Sequence, residues 1–393
     1  MIDTPFTPDI VRGAAELEQT PRGVRIHRLP SWARRQFPDP QLLDREAQPS
    51  GVRVAVRTTA TRIELVTHPS HTSFRGTERP RGRIDVFVDG ELRLEDELAG
   101  GDATVIDPAN GSVQQISGPA QSTVVDGLPA TSKTVEFFLP HNEGLELVGL
   151  SSDAPLHPVE SAKPRWVHHG SSISQGSNAA SPSAIWPALA ARRGGVELRN
   201  LGFGGSCFID PFVARVIRDE PAECISLKFG INTVNLDAMR VRTLVPAIHG
   251  FLDTIRDGHP TTPLLVISPI FCGIHEDTAG PGGIDPASVG TDQMKFTATG
   301  TPGDEALGRL TLQVIRREMR SLMERRSEDA QLFFLDGLEL YGEADAAAAP
   351  LPDNLHPDTA THRLIGERFA DHVFAASGPF GSVVRPSRVA PGQ

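Results

Sequence analysis

The apolar pattern of this 393-residue chain changes near residue 160, and that change limits the folds the chain can adopt. Before this point, short runs rich in Val and Ile are separated by Gly, Pro and Ser. Asp89-Gly90 stands between two alternating runs there, which is a strong hairpin signal. After this point, apolar strands alternate with helices, a pattern typical of a parallel sheet covered on both faces. The sequence therefore predicts two domains of different class.

The first domain is predicted to be an all-β sandwich or jelly roll over residues 1–160, either similar to a carbohydrate-binding module or structural in role. The second is predicted to be a flavodoxin-like, doubly wound α/β domain over residues 161–378, followed by a flexible tail over residues 379–393. Its five parallel strands are expected at residues 165–169, 196–201, 224–229, 264–268 and 331–335. Its helices, bounded by Gly, Pro or a capping Asp, are expected at residues 183–193, 211–220, 237–257, 304–326 and 358–376.

Net charge bears on the partners that the protein can have, and cysteine content bears on its cellular compartment. The chain has 38 basic and 49 acidic residues, which gives a formal net charge of −11. A field of that sign repels phosphate backbones and anionic lipids, so we expect neither nucleic acid nor membrane as a partner. Three widely spaced cysteines argue against a disulfide framework, and the first residues lack the basic and apolar regions of a signal peptide. A cytoplasmic protein is therefore expected.

Glycines and polar side chains follow four of the predicted parallel strands. In an open parallel sheet, ligands bind beyond the carboxyl ends of the strands, where such loops meet. The first loop holds Gly170 and Ser172, and a serine at such a turn can act as a nucleophile if a base takes its proton. Gly205 in the second loop and Asn232 in the third offer N–H donors for an oxyanion.

The fourth loop holds Asp353 and His356, three positions apart and just before the last predicted helix. A carboxylate at that spacing can accept the Nδ1–H of the imidazole and leave Nε2 as a general base. Each loop taken alone is explained at least as well by a turn or a helix cap. Their coincidence at one edge of a single sheet favours an acyl-transfer centre.

The four loops together resemble the sequence blocks of the SGNH (GDSL-type) hydrolases over residues 161–378. The matching residues are Gly170-Ser171-Ser172-Ile173, Gly205, Gly230-x-Asn232 and Asp353-x-x-His356. One position departs from the family, since Ser171 stands where the family has an aspartate that is not a triad member. The arrangement of two domains is similar to that of actinobacterial GDSL proteins, which include an acyltransferase of tetracycline-type polyketide biosynthesis.

The resemblance implies a role for each matching residue. Ser172 is the implied nucleophile, His356 the base and Asp353 the residue that orients it. The implied oxyanion hole consists of the Ser172 and Gly205 backbone N–H groups and the Asn232 side chain. Ser171 and Ser174 compete with Ser172 for the role of nucleophile, and Ser172 is favoured because it alone matches the family position.

Two further features have less defined roles. His168 and His169 precede the nucleophile loop on the same predicted strand, so they should point to opposite faces of the sheet and pack there. The long segment from His275 to about Gly303 is either a wall of the substrate pocket or a solvated excursion.

The expected function is that of a serine esterase or acylhydrolase acting on a small-molecule ester or thioester, glycosylated or not, through an acyl-enzyme. Two alternatives remain open: an acyltransferase that passes the acyl group to a sugar or polyketide hydroxyl, and a non-catalytic carbohydrate-binding protein. The chain has no H-E-x-x-H, no paired C-x-x-C and no P-loop motif, so neither a metal nor a cofactor is expected.

Overall fold

Strands dominate the first part of the chain, and strands alternating with helices dominate the second. The computed structural model describes residues 1–75, 80–107, 110–289, 291 and 294–384. One compact unit comprises Met1–Ala162 and Ser181–Ser183, and the other comprises Lys163–Ala180 and the chain from Ala184 onward. The sequence predicts the division near residue 160.

The first unit contains short strands and, between β4 and β5, two short helices. In chain order its strands are β1 Ile2–Asp3, β2 Val11–Arg12, β3 Glu16–Gln19, β4 Val24–His27, β5 Arg53–Thr58, β6 Ile63–Phe74, β7 Arg83–Val88, β8 Glu91–Glu97, β9 Asp102–Ile106, β10 Val113–Ile116, β11 Gln121–Val125, β12 Lys133–Phe138, β13 Gly144–Ser152 and β14 Leu156–Pro158. The helices are α1 Ser31–Gln36 and α2 Pro40–Glu46.

These strands form two sheets around one apolar core. One sheet has the order β10-β9-β6-β13-β4-β3, with β1 on β13 and β11 on β6, and the other has the order β14-β5-β12-β7-β8, with β2 on β5. Val54 and Phe137 of one sheet and Leu65 and Leu147 of the other are buried in the same cluster. The predicted β-sandwich is confirmed. The turn between β7 and β8 is the predicted Asp89-Gly90, with φ of 49° and 86° at the two residues.

The second unit carries the remaining strands and helices. The strands are β15 Arg165–Gly170, β16 Glu197–Gly202, β17 Cys224–Lys228, β18 Leu264–Ile267, β19 Gly282–Ile284, β20 Phe296–Ala298 and β21 Leu332–Leu335. The helices are α3 Ser172–Gln175, α4 Trp186–Gly194, α5 Pro211–Asp219, α6 Ile231–Asn235, α7 Val241–Gly258, α8 Leu312–Arg325, α9 Glu343–Ala348, α10 Thr359–Val373 and α11 Gly381–Val384.

Within the described part of this unit, five parallel strands form a sheet of order β16-β15-β17-β18-β21. Side chains of β15 face both sides of the sheet: Trp166 stacks on Phe369 of α10 at 5.0 Å between ring centroids, whereas His169 stacks on Phe251 of α7 at 6.1 Å. α4 packs with α10, and α7 packs with α5 and α8. Helices therefore cover both faces, which confirms the predicted flavodoxin-like fold.

Three helices of this unit begin at least three residues later than the sequence predicts. α4 begins at Trp186 and not at residue 183, because Ile185 has an extended conformation. α7 begins at Val241, because Asp237 has a φ of 48° and is not helical. α8 begins at Leu312, because Gly308 has a φ of 78° and Thr311 caps the helix by accepting the Val314 N–H. The packed chain also continues past residue 378, since Phe380 is fully buried and α11 follows it. Residues 385–393 of the predicted tail lie outside the described residues.

None of the helices that the structure describes is long and apolar enough to span a bilayer.

Gly202 offers a test of how tightly β16 packs against α3. A Cβ at Gly202 would lie 2.5 Å from the Gln175 nitrogen, so Gly202→Ala is expected to lower the free energy of unfolding by roughly 1–3 kcal/mol through overpacking. Gly250→Ala is the matched control, because a Cβ at this position in α7 meets no heavy atom within 4 Å. That variant should gain roughly 0.5–1 kcal/mol, since alanine is the better helix residue. Urea unfolding measures both, and a Gly202→Ala variant as stable as the wild type would contradict the described contact.

Candidate active site

The turn between β15 and α3 presents Ser172 just beyond the carboxyl end of β15. Ser171 is the N-cap of α3, and its Oγ accepts the Ile173 N–H at 3.4 Å, so the helix begins directly after the strand. A Cβ at Gly170 would overlap the Ser174 hydroxyl, which is why the turn requires glycine there. Ser172 is 8% exposed, so a small part of its surface remains accessible.

His356 joins Ser172 to Asp353 through two hydrogen bonds. Its Nε2 lies 3.0 Å from Ser172 Oγ, and its Nδ1 lies 2.8 Å from Asp353 Oδ2. The other carboxylate oxygen accepts the backbone N–H groups of Leu355 at 2.9 Å and His356 at 2.6 Å. Asn354 has a φ of 68°, a left-handed conformation that asparagine tolerates well and that lets the loop fold back on the carboxylate.

The charge of Asp353 follows from these bonds. Burial by itself would raise the pKa of this carboxyl group, but the hydrogen bond and the charge of His356 act in the opposite direction, as do the two backbone N–H groups. The net result is a pKa below the ordinary range of aspartate. Asp353 is therefore ionised at neutral pH and can accept the Nδ1–H, which leaves Nε2 as the acceptor facing Ser172.

The three serines of the first loop have different partners. Ser174 is fully buried, and its Oγ lies 2.8 Å from Nε2 of His168, which is also fully buried and lies beneath Trp186. Burial, helped by the nearby His169 and Lys228, holds the pKa of His168 well below its ordinary value, so this pair is a neutral core contact. The predicted packing roles of His168 and His169 on opposite faces are confirmed. Ser172 is the loop serine that the structure brings to His356.

One hydrogen bond joins the second loop to α3, and another joins the second loop to the third. The Gly204 N–H donates to the Gln175 side chain at 2.7 Å, and the Cys207 N–H donates to Asn232 Oδ1 at 3.1 Å. Gly205, between them, has a φ of 69°, which favours glycine. With Oδ1 occupied, Asn232 keeps its amide N–H₂ as a donor.

The backbone N–H groups of Ser172 and Gly205 and the Nδ2 of Asn232 share one property. Among the residues that the structure describes, none of the three donates a hydrogen bond. They lie on three adjacent strand-end loops joined by the contacts above. Donors of this kind can stabilise a negative charge that develops on a substrate oxygen.

The segment from His275 to Gly303, whose role the sequence left undefined, contributes Phe296 to the surroundings of the site. β19 and β20 pair within it. The Phe296 N–H donates to the Asp353 carbonyl at 2.9 Å, Asn354 Nδ2 donates to the Phe296 carbonyl at 3.1 Å, and the Phe296 ring centroid lies 5.6 Å from that of His356. The sequence does not predict this contact, because Phe296 and Asn354 are 58 positions apart in the chain.

Asn178 also contacts Asp353, a contact that the sequence did not predict. Its Nδ2 lies 3.2 Å from Asp353 Oδ2, the oxygen that accepts the His356 Nδ1–H. Asn178 is exposed and has a φ of 65°. In the sequence it looks like an ordinary turn asparagine, and nothing there indicates a contact with Asp353.

A buried ion pair supports the loop that follows β18. Arg316 of α8 contacts both oxygens of Glu276 at 2.7 Å and also donates to the Pro269 and Ile270 carbonyls. Glu276 in turn accepts the Cys272 N–H at 2.9 Å, and the Cys272 thiol lies 3.3 Å from the Asn354 carbonyl. The ion pair therefore braces the loop that carries Asp353 and His356. In the described part of the chain, no three His, Cys, Asp or Glu side chains are grouped as a metal site requires.

Comparisons with known proteins identify what each of the two domains resembles. Residues 163–272 match the GDSL-like Lipase/Acylhydrolase family, and residues 10–144 match the SsfX3 N-terminal domain. The structure is similar to that of the salicylyl-acyltransferase SsfX3 from a tetracycline biosynthetic pathway, with 28% sequence identity, coverage of 93% of this chain and 95% of that chain, and a TM-score of 0.75. Curated protein sequences include no match to this chain.

Two more distant structures share the fold. A putative GDSL-like lipase from Bacteroides ovatus is 20% identical, with coverage of 92% and 93% and a TM-score of 0.63. A family two carbohydrate esterase from Clostridium thermocellum is 12% identical, with coverage of 93% and 98% and a TM-score of 0.57.

The matches confirm the resemblance to the GDSL-type hydrolases. The chain carries a GDSL-like lipase/acylhydrolase domain that follows an SsfX3-type N-terminal domain in the sequence, and it is an enzyme that transfers acyl groups or hydrolyses esters. The alternative of a non-catalytic carbohydrate-binding protein is therefore set aside.

Proposed function

We propose that this GDSL-like enzyme cleaves a small-molecule ester or thioester with Ser172 as the nucleophile, His356 as the general base and acid, and Asp353 as the residue that orients His356. The observation that carries the proposal is the continuous line of hydrogen bonds, 2.8 Å from Asp353 to Nδ1 and 3.0 Å from Nε2 to Ser172 Oγ. An ionised carboxylate on Nδ1 leaves Nε2 free to take the serine proton.

Acylation of the serine is the first half-reaction. Ser172 Oγ bonds to the carbonyl carbon of the substrate while its proton passes to His356 Nε2. The tetrahedral intermediate then collapses, the bond to the leaving oxygen or sulfur breaks, and that atom takes the proton from Nε2. The product is an acyl-serine, and the Asp353 carboxylate stabilises the imidazolium formed on the way.

Release of the acyl group uses the same residues in reverse. The O–H of water or of an acceptor alcohol gives its proton to Nε2 while its oxygen bonds to the acyl carbon. The bond between Ser172 Oγ and that carbon breaks, and the proton on Nε2 returns to Oγ. Water yields a free acid, whereas an alcohol yields a new ester.

The oxyanion hole in this proposal consists of the Ser172 and Gly205 backbone N–H groups and the Asn232 amide. Two observations support it: these donors have no hydrogen-bond acceptor among the described residues, and the Asn232 carboxamide is held by the Cys207 N–H. Donors that are already held in place cost no reorganisation when the negative charge develops.

Ser172→Ala is expected to reduce kcat for a short p-nitrophenyl ester by roughly 10⁶-fold, the scale reached when a serine nucleophile is removed. Intact mass after exposure to the ester should show one acyl group on the wild type and none on this variant. Ser171→Ala and Ser174→Ala are the controls, because these hydroxyls cap α3 and contact His168. Each should lose only about 1 kcal/mol of stability and still acylate. Acylation of the Ser172 variant would reject the assignment.

Asn232→Asp separates the donor role of Asn232 from its structural role. The variant keeps an oxygen to accept the Cys207 N–H and replaces the N–H₂ group by a second oxygen. We expect kcat to fall by at least about 10²–10³-fold while KM and the melting temperature stay close to those of the wild type. Steady-state kinetics with thermal unfolding checks this, and an unchanged kcat would remove Asn232 from the oxyanion hole.

For the second half-reaction, we propose transfer of the acyl group to an alcohol in preference to hydrolysis. The support is the 28% identity to a salicylyl-acyltransferase over 93% of this chain and 95% of that chain. A glycosylated ester is one proposed substrate, supported by the two-sheet sandwich of the N-terminal domain, an architecture also found in carbohydrate-binding modules. A reducing, cytoplasmic location is proposed as well, supported by three buried cysteines without disulfides.

Partitioning of the acyl-enzyme tests transfer against hydrolysis. With p-nitrophenyl salicylate as the donor and a series of sugar and polycyclic alcohols as acceptors, we expect acylated alcohol to exceed salicylic acid for at least one acceptor. Ser172→Ala supplies the uncatalysed background. Salicylic acid as the sole product at every acceptor concentration would make the enzyme an esterase.

A further inference from the structure

We propose that one face of the β19–β20 hairpin is the subsite for the alcohol half of the substrate, and that Phe296 determines its specificity. This inference rests on the function proposed above. The ligand class is an alcohol whose hydroxyl is carried by, or adjoins, a ring with a flat apolar face.

Phe296 stands beside the base of the triad. Its ring centroid lies 5.6 Å from that of His356, with the two rings inclined at 76°. Because Phe296 is only half-buried, part of its side chain remains accessible to a ligand. The aromatic ring of Phe296 therefore contacts the imidazole of His356, whose Nε2 faces Ser172.

The strand pairing places a second apolar side chain beside Phe296. Ile284 is directly opposite Phe296 in the antiparallel ladder, and directly opposite residues project to the same face of a sheet. Ile284 is 49% exposed, a large fraction for an isoleucine next to an aromatic ring. Phe296 and Ile284 thus form a continuous apolar wall that begins at His356 and extends along the hairpin.

The chemistry of the base shows which half of the substrate meets this wall. His356 Nε2 must reach the leaving oxygen to protonate it and the acceptor oxygen to deprotonate it, so the alcohol oxygen lies at Nε2 in both half-reactions. The proposed oxyanion donors belong to other elements: the start of α3, the loop after β16 and α6. Phe296, which contacts the imidazole, therefore lies beside the alcohol half of the substrate and not beside its acyl half.

A wall made of Phe296 and Ile284 favours alcohols that are flat and apolar. Neither side chain has a hydrogen-bonding group, and an aromatic ring gains most from a flat partner stacked or set edge-on against it. Rings of two kinds meet this condition, an aromatic ring and the apolar face of a pyranose. The experiment below separates these two sources.

Substitution of Phe296 leaves the loop anchors in place. Its two bonds to residues 353 and 354 run through the backbone N–H and carbonyl of Phe296, which any residue except proline retains. The triad geometry should therefore survive in Phe296→Ala and in Phe296→Leu, the second of which keeps apolar volume but loses the flat ring. Val289→Ala is the matched control, because this 65% exposed side chain lies in the same segment but outside the ladder.

The test compares acetate esters that share an acyl group and differ in the alcohol: methyl acetate, benzyl acetate and the 6-acetate of methyl glucoside. For Phe296→Ala we expect kcat/KM to fall by about tenfold or more for at least one ring-bearing ester, mainly through KM, and by less than about twofold for methyl acetate. Phe296→Leu should show the same selectivity, less strongly, and Val289→Ala should show none. Loss with benzyl acetate marks an aromatic alcohol, and loss with the glucoside marks a sugar.

Two results would overturn the subsite. An equal loss for all three esters, with a shifted pH profile for methyl acetate, would make Phe296 a residue that only positions the imidazole. Unchanged kinetics for every ester would remove Phe296 from the site. A fluorophosphonate probe keeps the underlying function separate: if Ser172 of the wild type is not labelled, the proposed function itself fails, whereas labelling without discrimination among the esters rejects the subsite alone.

Discussion

The close passage of α3 over the ends of β15 and β16 is the constraint on which the rest of the catalytic domain depends. Gly170 and Gly202 are paired in register at the carboxyl ends of these two neighbouring strands. A Cβ on either one would overlap α3, at Ser174 for the first and at Gln175 for the second. Only a strand pair without these side chains lets a helix begin one residue beyond the sheet, with Ser171 as its cap and Ser172 at its first position.

Once α3 is held there, short polar contacts from neighbouring loops complete the site. The Gln175 side chain receives the Gly204 N–H, and the Cys207 N–H in the same loop meets Asn232 of α6. From the other side, the buried pair of Arg316 and Glu276 braces the loop after β18, whose Cys272 thiol contacts the Asn354 carbonyl. Truncating one partner of such a buried pair leaves an uncompensated charge, so the geometry of Asp353 and His356 depends on residues of α8 that never touch them.

Much of this arrangement could be predicted from the chain itself. The five parallel strands and the alternation of His168 and His169 follow from periodicity, because a strand buried on both faces must carry apolar residues throughout. The start of α8 could not be predicted, since the choice between residue 304 and Leu312 depends on the left-handed conformation of Gly308. The sequence selects Ser172 among the three loop serines only through a family motif. In the structure, Ser174 differs from Ser172 because it is fully buried and bonded to His168.

By itself, the sequence determined the two domain classes and the doubly wound parallel sheet, and its resemblance to a family predicted roles for Ser172, Gly205, Asn232, Asp353 and His356. The domain classes and the strands follow from local patterns, since periodicity and capping act over a few residues. Only the tertiary structure decided that Phe296 meets His356, that Ile284 stands beside Phe296, and that Asn178 adds a hydrogen bond to Asp353. The physical reason is that each of these contacts joins segments far apart in the chain, and their free energy comes from packing and hydrogen-bond geometry that no local pattern encodes.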